Sequence, residues 1–329
     1  MPRFATRTVT AVRAERQGLQ KVEVDGEPAY VLTDLTGPVS VGDRVVVNTT
    51  AVDLGLGTGG WHFVHWNLAR DSWSQPGRGR VMKLRYTSLQ VDTGAAEEDG
   101  PFEPPIDLMG VPVVACTLHS QVACVAAGFH RVAPDRRLVY VMTDSAALPL
   151  VLSDLVADLR AAGRLTATVT CGQAFGGDHE AVALASALEV AVAVALADAV
   201  VVGPGPGVVG TDSRFGFSGL EVAGMIDTAA ALGGVPVVAV RYSDADARPR
   251  HRGVSHHTRT AVGLATHEAM VPVPAGEPRP AQLGGVVEVD VPADLDYGAL
   301  TTMGRTAAED PGFFRYAASA GVLAAQLLG

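Results

Sequence analysis

The stretch AVVVGPGPGVVGTDSRFGF, residues 199–217, runs from apolar, β-prone residues into Gly203, Gly205, Gly207 and Gly210, and then into Thr211, Asp212, Ser213 and Arg214. Glycines between a strand and a helix let backbone approach a ligand closely, and the amides they bare suit an anion. The spacing holds a GxGxxG match at Gly205, Gly207 and Gly210. Pro204 and Pro206, however, remove two N–H donors, the loop follows the fourth strand, and no acidic residue ends the next strand where a ribose would be held. A dinucleotide site is therefore set aside, and without a GK[ST] sequence so is a P-loop. A bend without a ligand competes with the binding reading. Arg214 and a helix expected to begin near Ser218 favour a small anionic group.

RPRHRGVSHHTRT, residues 248–260, is a second candidate. Arg248, Arg250, Arg252 and Arg259 could pair with phosphate or carboxylate oxygens. His256 and His257 are adjacent, diverge by about 100° on a helix, and are not expected to share a metal ion with each other. His251 sits on the preceding loop, and no HExxH or HxH spacing supports a metal centre. The competing reading is a solvated arginine loop and a helix start capped by Ser255. A third candidate is CGQAFGGDHE, residues 171–180. Asp178 is expected to cap a long apolar helix, with His179 and Glu180 in its first turn. Cys171 reads better as a small buried hydrophobe than as a thiolate nucleophile.

The elements that would position these groups fall into two rhythms. Residues 1–95 alternate in short runs divided by turns, as in TRTVTAVRAE, QKVEVDG, PAYVLTDL, DRVVVNTT, GWHFVHWNL and RVMKLRY, and imply a small antiparallel β-barrel. TGAAEEDGPFEPP, residues 93–105, is acidic and Pro-rich, and residues 96–108 read as a linker. Over 109–329, apolar runs at 111–116, 137–143, 166–171, 198–203, 235–240 and 286–291 alternate with helical segments at 120–128, 146–163, 179–197, 219–233 and 255–265, and a terminal helix covers roughly 306–328. Strands apolar on both faces and joined by helices predict a Rossmann-like parallel sheet, whose ligands bind at the strand carboxyl ends. Those ends carry His119 after the first strand, Asp144 after the second, the Asp178 cluster after the third and the glycine loop after the fourth.

Composition limits the function classes. Of 329 residues, 48% are hydrophobic and only 5% aromatic, and the net charge is −10, which disfavours broad binding to nucleic acid or acidic membranes. The three cysteines show no CxxC pairing and fit a reducing cytoplasm. The N-terminus shows no signal peptide, and the longest apolar stretch is interrupted by Glu189 and Asp198, so a membrane span is not expected. Trp61, Trp66 and Trp73 lie among His62, His65 and the basic residues from Arg70 to Arg85, a pattern that on a barrel could hold single-stranded nucleic acid. Packing of these rings within the barrel is the preferred reading in an acidic chain. The Ala/Val-rich helices make a homo-oligomer plausible.

GDRVVVNTTAVDLGLGTGGWHFV, VMTDSAALPL, FGGDHEAV, GPGPGVVGT with RFGFSG, and HRGVSHHT together resemble the bacterial family called domain of unknown function 3866. The resemblance covers nearly the whole chain and implies one architecture of β domain plus α/β domain; it assigns no residue a role. The residues themselves point to a hydrolase or group transferase acting on a small anionic or phosphorylated metabolite. His119, His256 or His257 would be the general acid or base, and Asp144 or Asp178 would orient a histidine. Gly203, Gly205, Gly207, Gly210, Thr211, Arg214, Arg250, Arg252 and Ser255 would hold the ligand. The cofactor stays unknown and no metal is assigned. The alternatives are a non-catalytic metabolite sensor or scaffold and, further off, a nucleic-acid-binding barrel.

Overall fold

The computed structural model describes residues 1–98, 107–278 and 283–329. Most of the expected linker, residues 99–106, lies outside them. The chain divides into two compact units: Met1–Arg78 with Leu84–Asp92, and Gly79–Lys83 with Thr93–Gly329.

The first unit is a closed five-stranded barrel. β1 (Phe4–Arg16), β2 (Leu19–Val24), β3 (Glu27–Leu32), β4 (Arg44–Asn48) and β5 (His62–Asn67) lie in the order β1-β2-β3-β5-β4. The long β1 makes closure possible: Phe4–Thr8 pairs with β4, whereas Val9–Arg16 pairs with β2 through two register shifts. Bulges of this kind bend and twist a strand enough to serve two neighbours. β3 and β5 meet in parallel, the one departure from an antiparallel barrel. Side chains two apart share a face, so Val22 and Val24, Ala29 and Val31, and Val45 and Val47 all turn into the interior with Val9 and Val64.

The second unit is a six-stranded parallel sheet with helices on both faces. Its strands are β6 (Pro112–Cys116), β7 (Leu138–Thr143), β8 (Ala167–Thr170), β9 (His179–Glu180), β10 (Ala199–Pro204) and β11 (Val235–Ala239), in the order β9-β8-β7-β10-β6-β11. Alternation divides the core. Val114, Cys116, Tyr140, Met142 and Val201 pack with α1 (Gln121–Val132), α2 (Asp154–Ala161) and α6 (Pro311–Gln326). Val113, Ala115, Val139, Val141, Val200 and Val202 pack on the opposite face with α3 (Leu184–Glu189), α4 (Val222–Ala231) and α5 (His256–Leu264). The sheet is thus buried on both sides, as its unbroken apolar strands require.

The order of the strands locates a crevice. β6 and β7 both lead to helices on one face, whereas β10, which lies between them, leads to α4 on the other. Neighbouring strands that exit to opposite faces leave an opening at their carboxyl ends, and the loop that starts at Gly205 sits there.

Four expected elements differ from the structure. The helix expected over 179–197 begins only at Leu184, because His179–Glu180 joins the sheet edge beside β8. Glu180 is held there by Lys83, Thr170 Oγ1 and the Gly176 amide. The alternating Val/Ala stretch Val190–Val194 then winds more widely, as a π-helical turn. The 286–291 run supplies β13 (Val286–Val289), which pairs in parallel with β12 (Val271–Pro274) in a separate two-stranded sheet. The helix expected over 146–163 shortens to α2, preceded by a 3-10 turn over Leu150–Leu152. RVMKLRY adds no barrel strand, since the barrel closes with five.

Candidate functional site

The crevice opens as a cleft of about 240 Å³. Leu118 and His119 from the β6 end, Leu155 from α2, Gly207 and Val208 from the glycine loop, and Thr301–Met303 line it. Gln121 fixes the β6 end: its side-chain oxygen accepts from the amides of Thr117 and Leu118, while its amide nitrogen donates to the Ala239 carbonyl. Buried amides that would otherwise lack partners are thus satisfied, and the turn presenting His119 is pinned.

The surroundings of His119 fix its tautomer. Nδ1 lies 3.0 Å from the Pro204 carbonyl oxygen, which can only accept, so Nδ1 carries the proton. Tyr140, whose hydroxyl donates to the same carbonyl at 2.9 Å, lies 3.2 Å from Nδ1. Nε2 therefore bears the lone pair and faces the Ser153 hydroxyl at 2.7 Å. The Ser153 oxygen accepts from the Val156 amide as the cap of α2, which leaves its own proton for the imidazole. Burial pushes the His119 pKa down to about 4, against the opposing pull of the Pro204 carbonyl. At neutral pH the ring is an uncharged base aimed at a hydroxyl.

The glycine loop divides between two environments. At Gly205 an added Cβ would lie 2.5 Å from the Ala147 carbonyl oxygen, and at Gly203 one would meet Cys116, so both glycines are there for packing. Gly207 has φ +90° with open space around it. The amides of Gly207 and Val208 have no hydrogen-bond partner among the described residues. Beyond them, Thr211 bonds Ser213 and the Gly216 carbonyl within its own exposed hairpin, and Arg214 stacks over Phe215. Neither reaches the cleft. Gly210 lies against Phe217 and His257, in the second environment.

There the structure joins what the sequence separates. His251, His256 and His257 bring one ring nitrogen each within 4.8 Å of one another. The divergence of two adjacent histidines on a helix does not keep them apart, because they occupy its first positions and the 249–251 turn folds back beside them. Arginines already hold two of the lone pairs. Arg241 donates to His257 Nδ1 at 2.9 Å, and Arg250 donates to His251 Nε2 at 3.3 Å. His251 Nδ1 then bonds Ser255, which caps α5 through the His257 amide. Within this cluster, His256 Nδ1 is buried with no hydrogen-bond partner among the described residues. A cation held by His251 would have to displace either Arg250 or Ser255 from its ring, so the hydrogen-bonded cluster is not preformed for a metal ion. Burial, then Arg241, lowers the pKa of His251 to about 3 and of His257 to about 2; burial, then Arg250, lowers that of His256. All three rings are neutral acceptors at neutral pH, a state that suits none of them to donate protons.

The remaining expected residues are engaged elsewhere. Arg250 pairs with Asp212, and Arg252 donates to the Asp246 carbonyl. Asp246, buried beside Arg248 and Arg241, is held well below the usual carboxylate range, chiefly by its hydrogen bond from Arg248. Asp144 accepts from the Gln173 amide, and Asp178 accepts from Thr168 and Arg160 rather than capping a helix. Neither orients a histidine. Cys171 is buried with its thiol pKa pushed up to about 12, chiefly by burial, as befits an apolar core position. Of the tryptophans, Trp61 stacks on Tyr30 at 4.5 Å and Trp73 lies under Arg70.

Sequence reasoning missed Ser153, Tyr140, Gln121 and Glu221. Glu221 accepts from Thr143 at 2.9 Å and from Ser145, with burial raising its pKa. An S-D-L-V-A-D pattern marks Ser153 as a helix cap, but no local signal joins it to a histidine 34 positions earlier.

Residues 28–294 match the family described as protein of unknown function (DUF3866). The chain belongs to that family. No curated protein and no solved structure matches it. Among the described residues of this DUF3866 protein, no helix is long and apolar enough to cross a membrane.

Proposed function

We propose that this DUF3866 protein is a hydrolase or group transferase that binds a small metabolite in the β6–β10 crevice and uses His119 as general base. One observation carries the reading: a neutral imidazole at the cleft wall, Nδ1 anchored on the Pro204 carbonyl and Nε2 2.7 Å from a hydroxyl oxygen. A base locked in the accepting tautomer by a fixed partner is what proton abstraction needs. The substrate's anionic oxygen, or one that becomes anionic during reaction, would rest on the Gly207 and Val208 amides. Arg214, Arg250 and Arg252 do not line the cleft, so backbone dipoles rather than guanidinium groups would supply the stabilisation. The buried free cysteines fit a reducing compartment such as the cytoplasm.

The test is turnover of a panel of small esters, thioesters, phosphomonoesters and nucleotides by the wild type and by His119→Gln. The expected result is turnover on at least one class that falls about 10²–10⁴-fold in the variant with the melting temperature little changed. An unchanged rate in His119→Gln, or no turnover of any class, would overturn the proposal.

A further inference from the structure

The histidine cluster at the start of α5 is set in a surplus of positive charge. Arg241 and Arg248 share Asp246, and Arg305 divides between Asp246 and Asp310, so two carboxylates serve three guanidinium groups. Arg241 is 5% exposed, and its contact with Asp246 is a loose 3.8 Å; its closer partner is the uncharged ring of His257. Arg250, whose Nε donates to His251, pairs with Asp212 on the surface hairpin, a side chain that is 92% exposed. An ion pair open to that much water is worth little. After burial, arginine charge is the next cause that lowers the pKa of all three histidines and of Arg241 itself. A field that resists protons also resists a metal cation and attracts an anion.

The same cluster has hydrogen-bonding groups to spare. Arg241 donates to His257 Nδ1, so the proton of that neutral ring sits on Nε2, which has no hydrogen-bond partner among the described residues. His256 Nδ1 has none either. The hairpin packs on these rings at its base and is latched beside them near its tip. Gly210 and Phe217 bridge to each other, Phe217 stacks on His257 at 3.8 Å and meets His256 edge-on at 5.5 Å, and Asp212 reaches across to Arg250. The Asp212 carboxylate therefore sits where a free oxyanion would.

We propose that Arg250, His256 and His257, backed by the buried Arg241, form a binding site for a small phosphate-class dianion, and that Asp212 is a tethered stand-in which the ligand displaces. A tetrahedral oxyanion suits the site better than a planar carboxylate, because a guanidinium fork and two imidazole rings inclined at 63° do not share a plane. None of these residues lines the cleft beside His119, so the site is additional to the one proposed for chemistry.

The experiment is calorimetric titration of the full chain with inorganic phosphate at pH 7.5 and constant ionic strength. It compares the wild type with Arg250→Gln, Asp212→Asn and Arg131→Gln, the last an exposed arginine outside the cluster. The expected result is one phosphate per chain. Affinity should fall about tenfold or more in Arg250→Gln, as for loss of a charge-assisted hydrogen bond. It should rise about two- to fivefold in Asp212→Asn, as for loss of a competing exposed ion pair. Arg131→Gln should bind as the wild type does. Asp212 is exposed enough for its replacement to leave the fold intact, which keeps the test decisive should Arg250→Gln unfold. No phosphate binding, equal weakening by Arg131→Gln, or an affinity that does not rise in Asp212→Asn would overturn the proposal. Zinc bound in place of phosphate, and lost in His257→Gln, would overturn it too, by making the cluster a metal site.

Discussion

At the scale of single residues, the site depends on which nitrogen holds a proton. The His119 pKa is lowered to about 4, and only the neutral ring can accept a proton. Turnover should therefore stay level from pH 7.5 to about 5 and fall as the pH drops through about 4. A rate that halves near 6.5 would mean an ordinary histidine. Stability follows the same sign. A histidine whose pKa folding lowers binds its proton more readily when unfolded, so stability is complete above its ordinary value of 6.5 and declines as the pH falls toward the folded value. His119, His251, His256 and His257 all shift this way. Melting temperature should fall between pH 7.5 and 5, and His257→Gln should flatten that slope; a flat wild-type profile would contradict the neutral cluster.

At the scale of elements, close packing of helices and turns holds the site in place. α1, which follows the His119 turn, packs against α6 at Gly128 and Gly321; a Cβ at Gly321 would run into the Val125 carbonyl and one at Gly128 into that of Ala318. Gly321→Ala should cost about 2–3 kcal/mol by overpacking, read as a drop in the urea midpoint. An unchanged midpoint would show that the helices can part without loss. Gly207→Ala meets no atom but holds φ at +90°, and should cost only about 1 kcal/mol. These elements differed in how plainly the sequence announced them. The barrel and most sheet strands were legible because period-two runs and unbroken valine runs report burial directly, as did the glycine loop's place after β10. The edge strand at His179–Glu180 was not, because a remote lysine fixes it. Of the expected catalytic residues only His119 reaches the cleft, and its partner Ser153 was hidden because the pair meets only through the sheet's crossover. Asp144 and Asp178 illustrate the reverse: a carboxylate at a strand end often satisfies turn amides.

At the scale of the whole molecule, one ion pair ties the 79–83 segment to the α/β unit. Lys83, one of only two lysines, is fully buried; its ammonium donates to Glu180 at 2.6 Å and to the Thr170 carbonyl at 3.1 Å. Removing one partner of such a pair strands the other charge, so Lys83→Met should cost about 3–5 kcal/mol and lower the thermal midpoint, with Glu180→Gln added to it recovering part of the loss. A Lys83→Met protein as stable as wild type would contradict that account. The cleft itself is drawn from distant parts of the chain, the segments 118–120, 206–208 and 301–303 and Leu155 of α2. Its defining feature is the state of one imidazole. The most direct test is a ¹⁵N NMR titration of His119, assigned by comparison with His119→Gln. The account predicts Nδ1 protonated, Nε2 bare and a midpoint near 4. A midpoint near 6.5, or a proton on Nε2 at neutral pH, would contradict it.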